Sequence, residues 1–267
     1  MQVVEPKVYL IAETKIIESE LKSALRDIGG DIALKWYNNT SSTRKSDGEY
    51  ITEVAGRICY KSFGLGLNPN VTRIREDSQE YISNTLSKGD GSIFEHATCT
   101  FAFIDVSRVF THELVRHRAG VAISQESLRY VRPSEQGIGF WLPEGIESER
   151  KTKIISIVEN IEKGYKEIVD EAGFEGKDFK EKKELTSLLR RILPQGMATN
   201  IIWTANHRTI RHVITMRTSE QAEIEIRMVF DKVAEIMRSR YPLIYADFEP
   251  TELEDGTKAW KPKYVKA

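Results

Sequence analysis

The sequence predicts an α+β fold, with one domain over residues 1–267 built from a mixed, largely antiparallel sheet and long packed helices. Short stretches rich in β-forming residues, at 8–12 and 98–104, are followed by longer stretches with apolar residues at helical spacing, the clearest at 153–169. No internal repeat or low-complexity tract interrupts this pattern. A chain of 267 residues is long enough to bury a proper core.

In the first half of the chain, residues 8–12 read as a strand and the polar residues 38–47 as an exposed loop. Helices are expected at 53–60 and 79–86, separated by an irregular stretch. Residues 98–104 alternate and are rich in β-formers, which predicts a strand entering the core. Ser107 is a plausible N-cap for a helix that runs to about Arg118, so that Arg116-His117-Arg118 falls on its last turn.

In the second half, the pattern at 153–169 predicts an amphipathic helix without catalytic residues. The charged residues 177–184 indicate a solvated linker or a helix start, and residues 186–193 continue as a helix until Pro194. A further helix is expected at 199–216. Thr218 and Gln221 fit a capping box that opens the last long helix, 222–237.

Composition limits the possible functions. The 39 basic and 40 acidic residues nearly cancel, which argues against a protein that coats nucleic acid. The two cysteines, Cys59 and Cys99, are far apart, and neither a leader sequence nor a membrane-spanning apolar run is apparent, so a reduced, cytoplasmic protein is expected. The pairs His112/His117 and His207/His212 are five residues apart and point to different sides of a helix, so no metal site is predicted.

One segment, residues 116–130, has a polar density that folding alone does not explain. It reads R-H-R-A-G-V-A-I-S-Q-E-S-L-R-Y. Guanidinium groups, hydroxyls and amides in this number match a ligand with phosphates and amide-like edges, whereas the alternative is a solvated helix end followed by a turn. Neither a G-x-G-x-x-G fingerprint nor a P-loop occurs in the chain, so a dinucleotide would have to be held by arginines and helix ends.

The segment resembles the signature of the flavin-dependent thymidylate synthases, in which R-H-R is followed by S-x-R and often tyrosine. Ser127-Leu128-Arg129-Tyr130 supply the second half, after eight intervening residues where seven are usual. Further matches to the family follow in order between Gly89 and Ile226, although Asp90 stands where a histidine is common. The resemblance implies the fold of these enzymes and a reaction in which dUMP is reductively methylated to dTMP.

The resemblance also implies which residues hold FAD. They are Ser92, Glu95, Arg116, His117, Arg118, Gln125, Asn206, Arg208 and His212. Two of them have ordinary alternatives: Asn206 could hydrogen-bond a neighbouring loop, and Arg208 could pair with Glu220 or Glu223.

For dUMP, the residues implied by the resemblance are Glu113, Arg116, Gln125, Glu126, Ser127, Leu128, Arg129, Arg190 and Arg217. Arg217 and Ser127 are the catalytic candidates. Arg217 would stabilise the uracil anion, and Ser127 would bind and orient dUMP without attacking it. Two alternatives remain open: Arg190 could be a surface residue beside Arg191, and a shifted register could bring Ser124 into the pocket in place of Ser127.

The family resemblance further implies NADPH as reductant, methylenetetrahydrofolate as carbon donor, and a homotetramer whose sites are shared between subunits. No nucleic acid and no membrane are expected as partners. The rival hypothesis is a non-catalytic nucleotide- or RNA-binding module that uses its arginines as phosphate clamps. Near-neutral charge and the absence of an aromatic RNA-stacking motif argue against that module.

Overall fold

The computed structural model describes residues 1–40 and 46–266, and within them it contains nine helices and eight strands. The helices are α1 (Glu18–Thr40), α2 (Asp47–Tyr60), α3 (Ser78–Lys88), α4 (Arg108–Leu114), α5 (Pro133–Gln136), α6 (Ser148–Ala172), α7 (Phe179–Leu189), α8 (His207–Arg217) and α9 (Ile224–Arg240). The strands are β1 (Gln2–Val3), β2 (Lys7–Glu13), β3 (Thr98–Ser107), β4 (Val121–Gln125), β5 (Gly139–Phe140), β6 (Ala198–Asn206), β7 (Phe248–Glu252) and β8 (Lys258–Pro262). Searched over the described residues, no helix is long and apolar enough to cross a membrane.

A four-stranded sheet in the order β2-β3-β6-β4 organises the molecule, and every neighbouring pair in it is antiparallel. The predicted α+β class and antiparallel pairing are therefore confirmed. The expectation of a mixed sheet is wrong for this central sheet, because parallel pairing is found between the two-residue strands β1 and β5, which form a separate sheet. The single domain over residues 1–267 stays a prediction.

The core lies on one face of the central sheet. Phe101, Phe103 and Trp203 alternate with less buried residues along β3 and β6. The rings of Phe103 and Trp203 contact Phe230 of α9, and the ring of Phe101 contacts those of Phe103 and Trp203. A strand places every second side chain on one face, so this alternation explains how β3 and β6 bury aromatic side chains without burying their polar neighbours. Helices α4, α8 and α9 pack against that face. Helix α4 carries Glu113, and α8 carries Arg208, His212 and Arg217.

The predicted elements at 8–12, 53–60, 79–86, 98–104 and 153–169 are confirmed inside β2, α2, α3, β3 and α6. The exposed loop predicted at 38–47 is wrong at both ends, since α1 continues to Thr40 and α2 begins at Asp47. Thr40 is buried and its hydroxyl donates to the Trp36 carbonyl at 2.9 Å. Packing of Trp36 in the core therefore outweighs the turn preference of the polar run. Residues 41–45 of that loop lie outside the described residues.

The helix predicted at 199–216 is wrong in its first half. Residues Ala198–Asn206 form β6 in the middle of the sheet, and only α8 is helical. Buried Ile201 and Trp203 alternate with exposed Ile202, which is a strand pattern. The prediction was wrong because a short run of apolar residues is compatible with either a helix or a strand.

The start of α7 is one of the two alternatives expected for residues 177–184, whereas the end of α7 and the cap of α9 differ from expectation. Residues 177–184 include a helix start, because Asp178 and Glu181 form a capping box for α7. That helix ends at Leu189, and the expected continuation to 193 is a 3-10 turn. The capping box predicted from Thr218 and Gln221 is wrong: Glu223 caps α9, while the Thr218 hydroxyl donates back to Ile214.

Ser107 caps α4 as predicted, with its Oγ accepting from Phe110 N–H at 3.1 Å. Its backbone N–H donates to Glu225 Oε1 at 2.6 Å, and its hydroxyl donates to Glu225 Oε2. Asp105, two residues earlier, has a φ of 58° at a bulge in β3, and pairing with β6 resumes at Val106 and Ser107 before α4 begins. Glu225 thus joins α9 to the start of α4.

Burial raises the pKa of Glu225 to about 7, and Ser107 opposes this shift. The folded protein favours the protonated form of Glu225, because the pKa of this carboxyl is higher in the folded than in the unfolded chain. The free energy of unfolding therefore falls as pH rises from the unfolded pKa, near 4.5, to the folded pKa of about 7. Glu225→Gln should therefore remove a decline in unfolding free energy of roughly 3 kcal/mol between pH 4.5 and 8. Chemical denaturation of both proteins at several pH values measures this. The exposed Glu254→Gln should keep the wild-type pH dependence, and an unchanged decline in Glu225→Gln would contradict the assignment.

Candidate active site

The Arg116-His117-Arg118 segment does not lie on the last turn of an α-helix, contrary to the sequence prediction. Helix α4 ends at Leu114, and the chain leaves it through a tightened turn in which Arg116 N–H donates to the Glu113 carbonyl at 3.3 Å. Pairing of β4 with β6 begins only a few residues later, at Val121. The helix must therefore stop early so that the chain can join the sheet.

Arg217, at the end of α8, is held by two residues from the α4 region. Its Nη1 donates to Glu113 Oε2 at 2.6 Å, its Nη2 to the Glu113 carbonyl at 3.0 Å, and its Nε to His117 Nε2 at 2.8 Å. The guanidinium plane is thus fixed by a carboxylate, a carbonyl and an imidazole. These bonds use only part of its donor set, and the side chain remains 20% exposed, so donors are left for a ligand.

His117 is neutral at physiological pH. Burial and the positive charge of Arg217 lower the pKa of His117 to about 4, and His212 acts in the same direction. The rings of His117 and His212 meet edge to face, with centroids 5.8 Å apart. Because His117 Nε2 accepts from Arg217, the proton of the neutral ring is on Nδ1. His117 therefore offers a second hydrogen-bond donor beside Arg217.

The N-terminus of α8 brings together residues predicted for the cofactor. The Asn206 side chain caps the helix by accepting from Thr209 N–H at 2.9 Å. Gly120, with φ 68°, lies so close that an added Cβ would be 2.5 Å from Asn206 Nδ2. Arg208 forms a salt bridge with Glu95 at 2.5 Å. Its partner is therefore neither Glu220 nor Glu223, the alternatives considered from the sequence.

Residues at the end of β4 and directly after it form a further group. Gln125 Nε2 donates to Thr111 Oγ1 at 3.2 Å, and Glu126 Oε2 accepts from Asn200 N–H at 3.1 Å. Glu126, Ser127 and Leu128 line a cavity of about 180 Å³. Ser127 Oγ accepts from Arg129 N–H at 3.3 Å, which leaves the hydroxyl proton available to a ligand.

Arg108 was not singled out from the sequence, yet it lines the same cavity. Its Nη2 donates to the Glu126 carbonyl at 3.2 Å, while its buried Nε has no hydrogen-bond partner. Burial lowers the pKa of Arg108, and the nearby charge of Arg190 lowers it further. One signal in the sequence could have identified Arg108. It directly follows the N-cap Ser107, and a positive charge in the first turn of a helix interacts unfavourably with the helix dipole, which suggests that the residue is there to bind a ligand.

Within one chain the predicted residues fall into separate groups. Glu113, His117, His212 and Arg217 form the first, and Glu95, Asn206 and Arg208 the second. The third is the cavity with Glu126, Ser127 and Leu128, beside Arg108 and Arg190.

Other predicted residues lie outside these three groups. Ser92 and Asp90 line a different cavity, of about 350 Å³, which shares no lining residue with the first. Arg116 and Arg118 are exposed, and Arg129 Nε donates to Ser187 on α7 at 3.2 Å. Over the part of the chain that the structure describes, no group of three or more metal-ligating side chains is placed to hold an ion.

Comparison with known proteins identifies the family. The sequence pattern of the thymidylate synthase complementing proteins matches residues 42–243. The chain belongs to this family. Among its relatives are three flavin-dependent thymidylate synthases, from Corynebacterium diphtheriae (31% identity, covering 86% of this chain and 89% of the relative), Corynebacterium aurimucosum (34%, 82% and 88%) and Mycobacterium tuberculosis (32%, 81% and 86%).

The region matched to the thymidylate synthase complementing family contains every candidate site residue, from Ser92 to Arg217. Helix α1 precedes the matched region, and strands β7 and β8 follow it. The family assignment therefore bears on the candidate site directly.

Proposed function

We propose that this protein catalyses the reductive methylation of dUMP to dTMP. The fixed guanidinium of Arg217, beside neutral His117, is the observation that carries the proposal, because it provides directional donors for an amide-edged base. Membership of the family and relatives named flavin-dependent thymidylate synthase support it. Methylenetetrahydrofolate would supply the carbon and NADPH the reducing equivalents.

The chain's donor set fits FAD. Arg116 and Arg118 are exposed cations, His117 offers its Nδ1–H, and Asn206 and Arg208 lie at the start of α8. A pyrophosphate requires donors of this kind when no glycine-rich loop is present. We assign Ser92, Glu95, Gln125 and His212 to the same cofactor. When bound, the flavin would supply the hydride that completes the methyl group.

Arg217 would act on the uracil ring. Its remaining N–H groups can donate to a carbonyl oxygen of the base and stabilise the anion that forms when the ring nitrogen between the carbonyls loses its proton. Glu113 and His117 are positioning residues in this scheme, because they fix the guanidinium plane before the base arrives.

The phosphate of dUMP would bind at the cavity of about 180 Å³ that Ser127 and Arg108 line. Arg190, Arg129 and the Ser127 hydroxyl are donors suited to a dianion, and Arg108 joins them because its buried Nε has no hydrogen-bond partner. Arg116, Gln125, Glu126 and Leu128 complete the predicted nucleotide contacts.

A homotetramer with shared sites would explain why the candidate residues form separate groups within one chain. Helices α4, α8 and α9 pack against the face of the central sheet that carries the buried core. On the other face Tyr9, Ala102, Ile202 and Ser124 form a row across the four strands, and Tyr9 and Ile202 are 51% and 45% exposed. An apolar sheet face of this kind is suited to cover by another copy of the chain.

Purification and turnover test the proposal. The protein should carry or bind flavin, seen in its absorbance spectrum, and should form dTMP from dUMP, methylenetetrahydrofolate and NADPH. The rival, a non-catalytic nucleotide- or RNA-binding module with arginine phosphate clamps, would bind dUMP without flavin and without dTMP formation. That result would overturn the proposed reaction.

Ser127→Ala should weaken dUMP binding while dTMP formation remains measurable, because the hydroxyl binds and orients dUMP and has no paired base to make it a nucleophile. Ser124→Ala is the matched control: Ser124 is exposed in β4, whereas Ser127 lines the cavity with Arg108. Titration with dUMP and a dTMP assay measure both variants. Loss of all turnover in Ser127→Ala with dUMP and FAD still bound, or a larger binding defect in Ser124→Ala, would contradict this role.

A further inference from the structure

The hairpin formed by β7 and β8 packs against the end of α8, the helix that carries Arg217. Trp260 of β8 is buried, and its backbone N–H donates to Thr218 Oγ1 at 2.9 Å. Thr218 is fully buried and directly follows Arg217. The hairpin lies after residues 42–243, the region matched to the family, and nothing in the candidate site has given it a role.

The Thr218 hydroxyl links the last turn of α8 to this hairpin. The Thr218 N–H donates to the Ile214 carbonyl at 2.9 Å, and the hydroxyl donates to the same carbonyl at 2.8 Å. A helix end frays unless its backbone groups are bound. The hydroxyl oxygen also accepts from Trp260, because a hydroxyl has acceptor sites besides its single donor. Thr218 therefore closes the helix and joins it to β8.

Trp260 is held in turn by α9. Its indole Nε1 donates to Asp231 Oδ1 at 2.7 Å, and the backbone N–H of Lys258 donates to Asp231 Oδ2 at 3.2 Å. Both oxygens of one buried carboxylate thus bind β8 and fix it along the helix. The bond between Trp260 and Thr218 is therefore supported by a helix of the main core.

A second connection joins the hairpin to the linker between α8 and α9. Arg227 Nη1 donates to the carbonyls of Glu220 and Ala222 at 2.8 and 3.2 Å, and its Nη2 forms a salt bridge with Asp255 in the hairpin turn. The hairpin thus acts on the chain that leaves α8 at Thr218 directly and at two later residues through Arg227.

The orientation of Arg217 depends on the backbone at this helix end. Its guanidinium makes three hydrogen bonds with Glu113 and His117, at 2.6, 2.8 and 3.0 Å. A displacement of roughly 1 Å would take such bonds beyond the normal limit of about 3.2 Å. Fraying of the last turn of α8 would therefore release the guanidinium from both partners.

Resting on the proposed function, we infer that Thr218 and Trp260 are positioning residues for Arg217. The hairpin holds the end of α8, and the closed helix end holds the guanidinium against Glu113 and His117 before dUMP binds. A donor that is already oriented needs no reorganisation during the reaction, so loss of this support lowers kcat more than it raises KM.

The imidazole of His117 reports the position of Arg217 without any substrate. Burial and the charge of Arg217 lower the pKa of His117 to about 4. In Thr218→Val, which removes the hydroxyl and keeps the shape of the side chain, NMR titration should show the pKa of His117 above the wild-type value. Thr218→Ser keeps the hydroxyl and should titrate as the wild type.

Thr215→Val is the matched control. Thr215 lies three residues earlier on α8, and its hydroxyl donates to the Arg211 carbonyl at 2.9 Å, as that of Thr218 does to Ile214. This variant loses the same kind of helix bond without losing a bond to the hairpin, so the His117 titration should not change. An unchanged His117 pKa in Thr218→Val, or an equal rise in Thr215→Val, would overturn the inference.

Asp255→Asn tests the hairpin from its exposed turn, where a substitution does not disturb the core. Loss of the salt bridge to Arg227 should also raise the pKa of His117, whereas Glu254→Gln, at the neighbouring exposed residue, should leave it unchanged. An unchanged titration in Asp255→Asn would refute the role of the hairpin, whether or not Thr218→Val folds.

Turnover separates this inference from the proposed reaction. In Thr218→Val, kcat for dTMP formation should fall about tenfold while KM for dUMP changes less, and Thr218→Ser should keep the wild-type kcat. A lower melting temperature with unchanged kcat and His117 titration would show that Thr218 only stabilises the fold. Absence of dTMP formation by the wild type would refute the proposed reaction, whereas the His117 titration would still decide whether the hairpin holds Arg217.

Discussion

Arg217→Ala should lower kcat for dTMP formation by about 100- to 1,000-fold, while KM for dUMP changes much less. Removal of one donor to a developing anion has an effect of this size in other enzymes. The interaction is stronger with the anion than with the neutral base, so its loss appears in kcat. Steady-state kinetics with varied dUMP measures both constants. A raised KM with unchanged kcat would show that Arg217 only binds dUMP.

The same substitution should be visible in the unliganded protein through His117. Arg217 lowers the pKa of His117 by its charge, in addition to the effect of burial. In Arg217→Ala the pKa of His117 should rise from about 4 toward its usual value near 6.5, which NMR titration of the imidazole can follow. Arg150→Ala removes an exposed arginine far along the chain on α6 and should change neither kcat nor the His117 titration. An unchanged pKa in Arg217→Ala would contradict the contact.

Local sequence patterns predicted secondary structure correctly where residue preference, apolar spacing and capping all favoured the same element. The alternation in 98–104 and the cap at Ser107 left little ambiguity, and both were confirmed. Residues 199–206 were misread because a short apolar run fits a buried strand and a buried helix equally well, and only its pairing with β3 and β4 decides between them. Such pairing joins residues about 100 positions apart, which no local window contains.

The candidate site also contains residues that a local motif predicts and residues that only long-range contacts identify. The resemblance supplied residues by motif, and the structure brought Glu113, His117 and Arg217 together although α4 ended earlier than expected. Arg108 is not among the residues that the sequence predicts. Its importance depends on a neighbour distant in sequence, Arg190, so composition and spacing alone give no reason to select it.

Arg190→Gln should weaken dUMP binding by about 10- to 100-fold with little change in kcat. Burial lowers the pKa of Arg108, and repulsion by the nearby charge of Arg190 lowers it further. A dianionic phosphate relieves this repulsion, so the pair should gain more from a ligand than a solvated arginine would. In the unliganded protein, loss of Arg190 should leave the melting temperature unchanged or slightly higher.

Arg191→Gln is the matched control, because Arg191 is the next residue, is exposed and carries the same charge. Thermal shifts with dUMP and with deoxyuridine distinguish phosphate recognition from base recognition. We expect dUMP to stabilise the wild type and Arg191→Gln equally and Arg190→Gln less, while deoxyuridine, which has no phosphate, stabilises all three alike. If dUMP stabilises Arg190→Gln as much as the wild type, Arg190 is only a surface residue and takes no part in binding the phosphate.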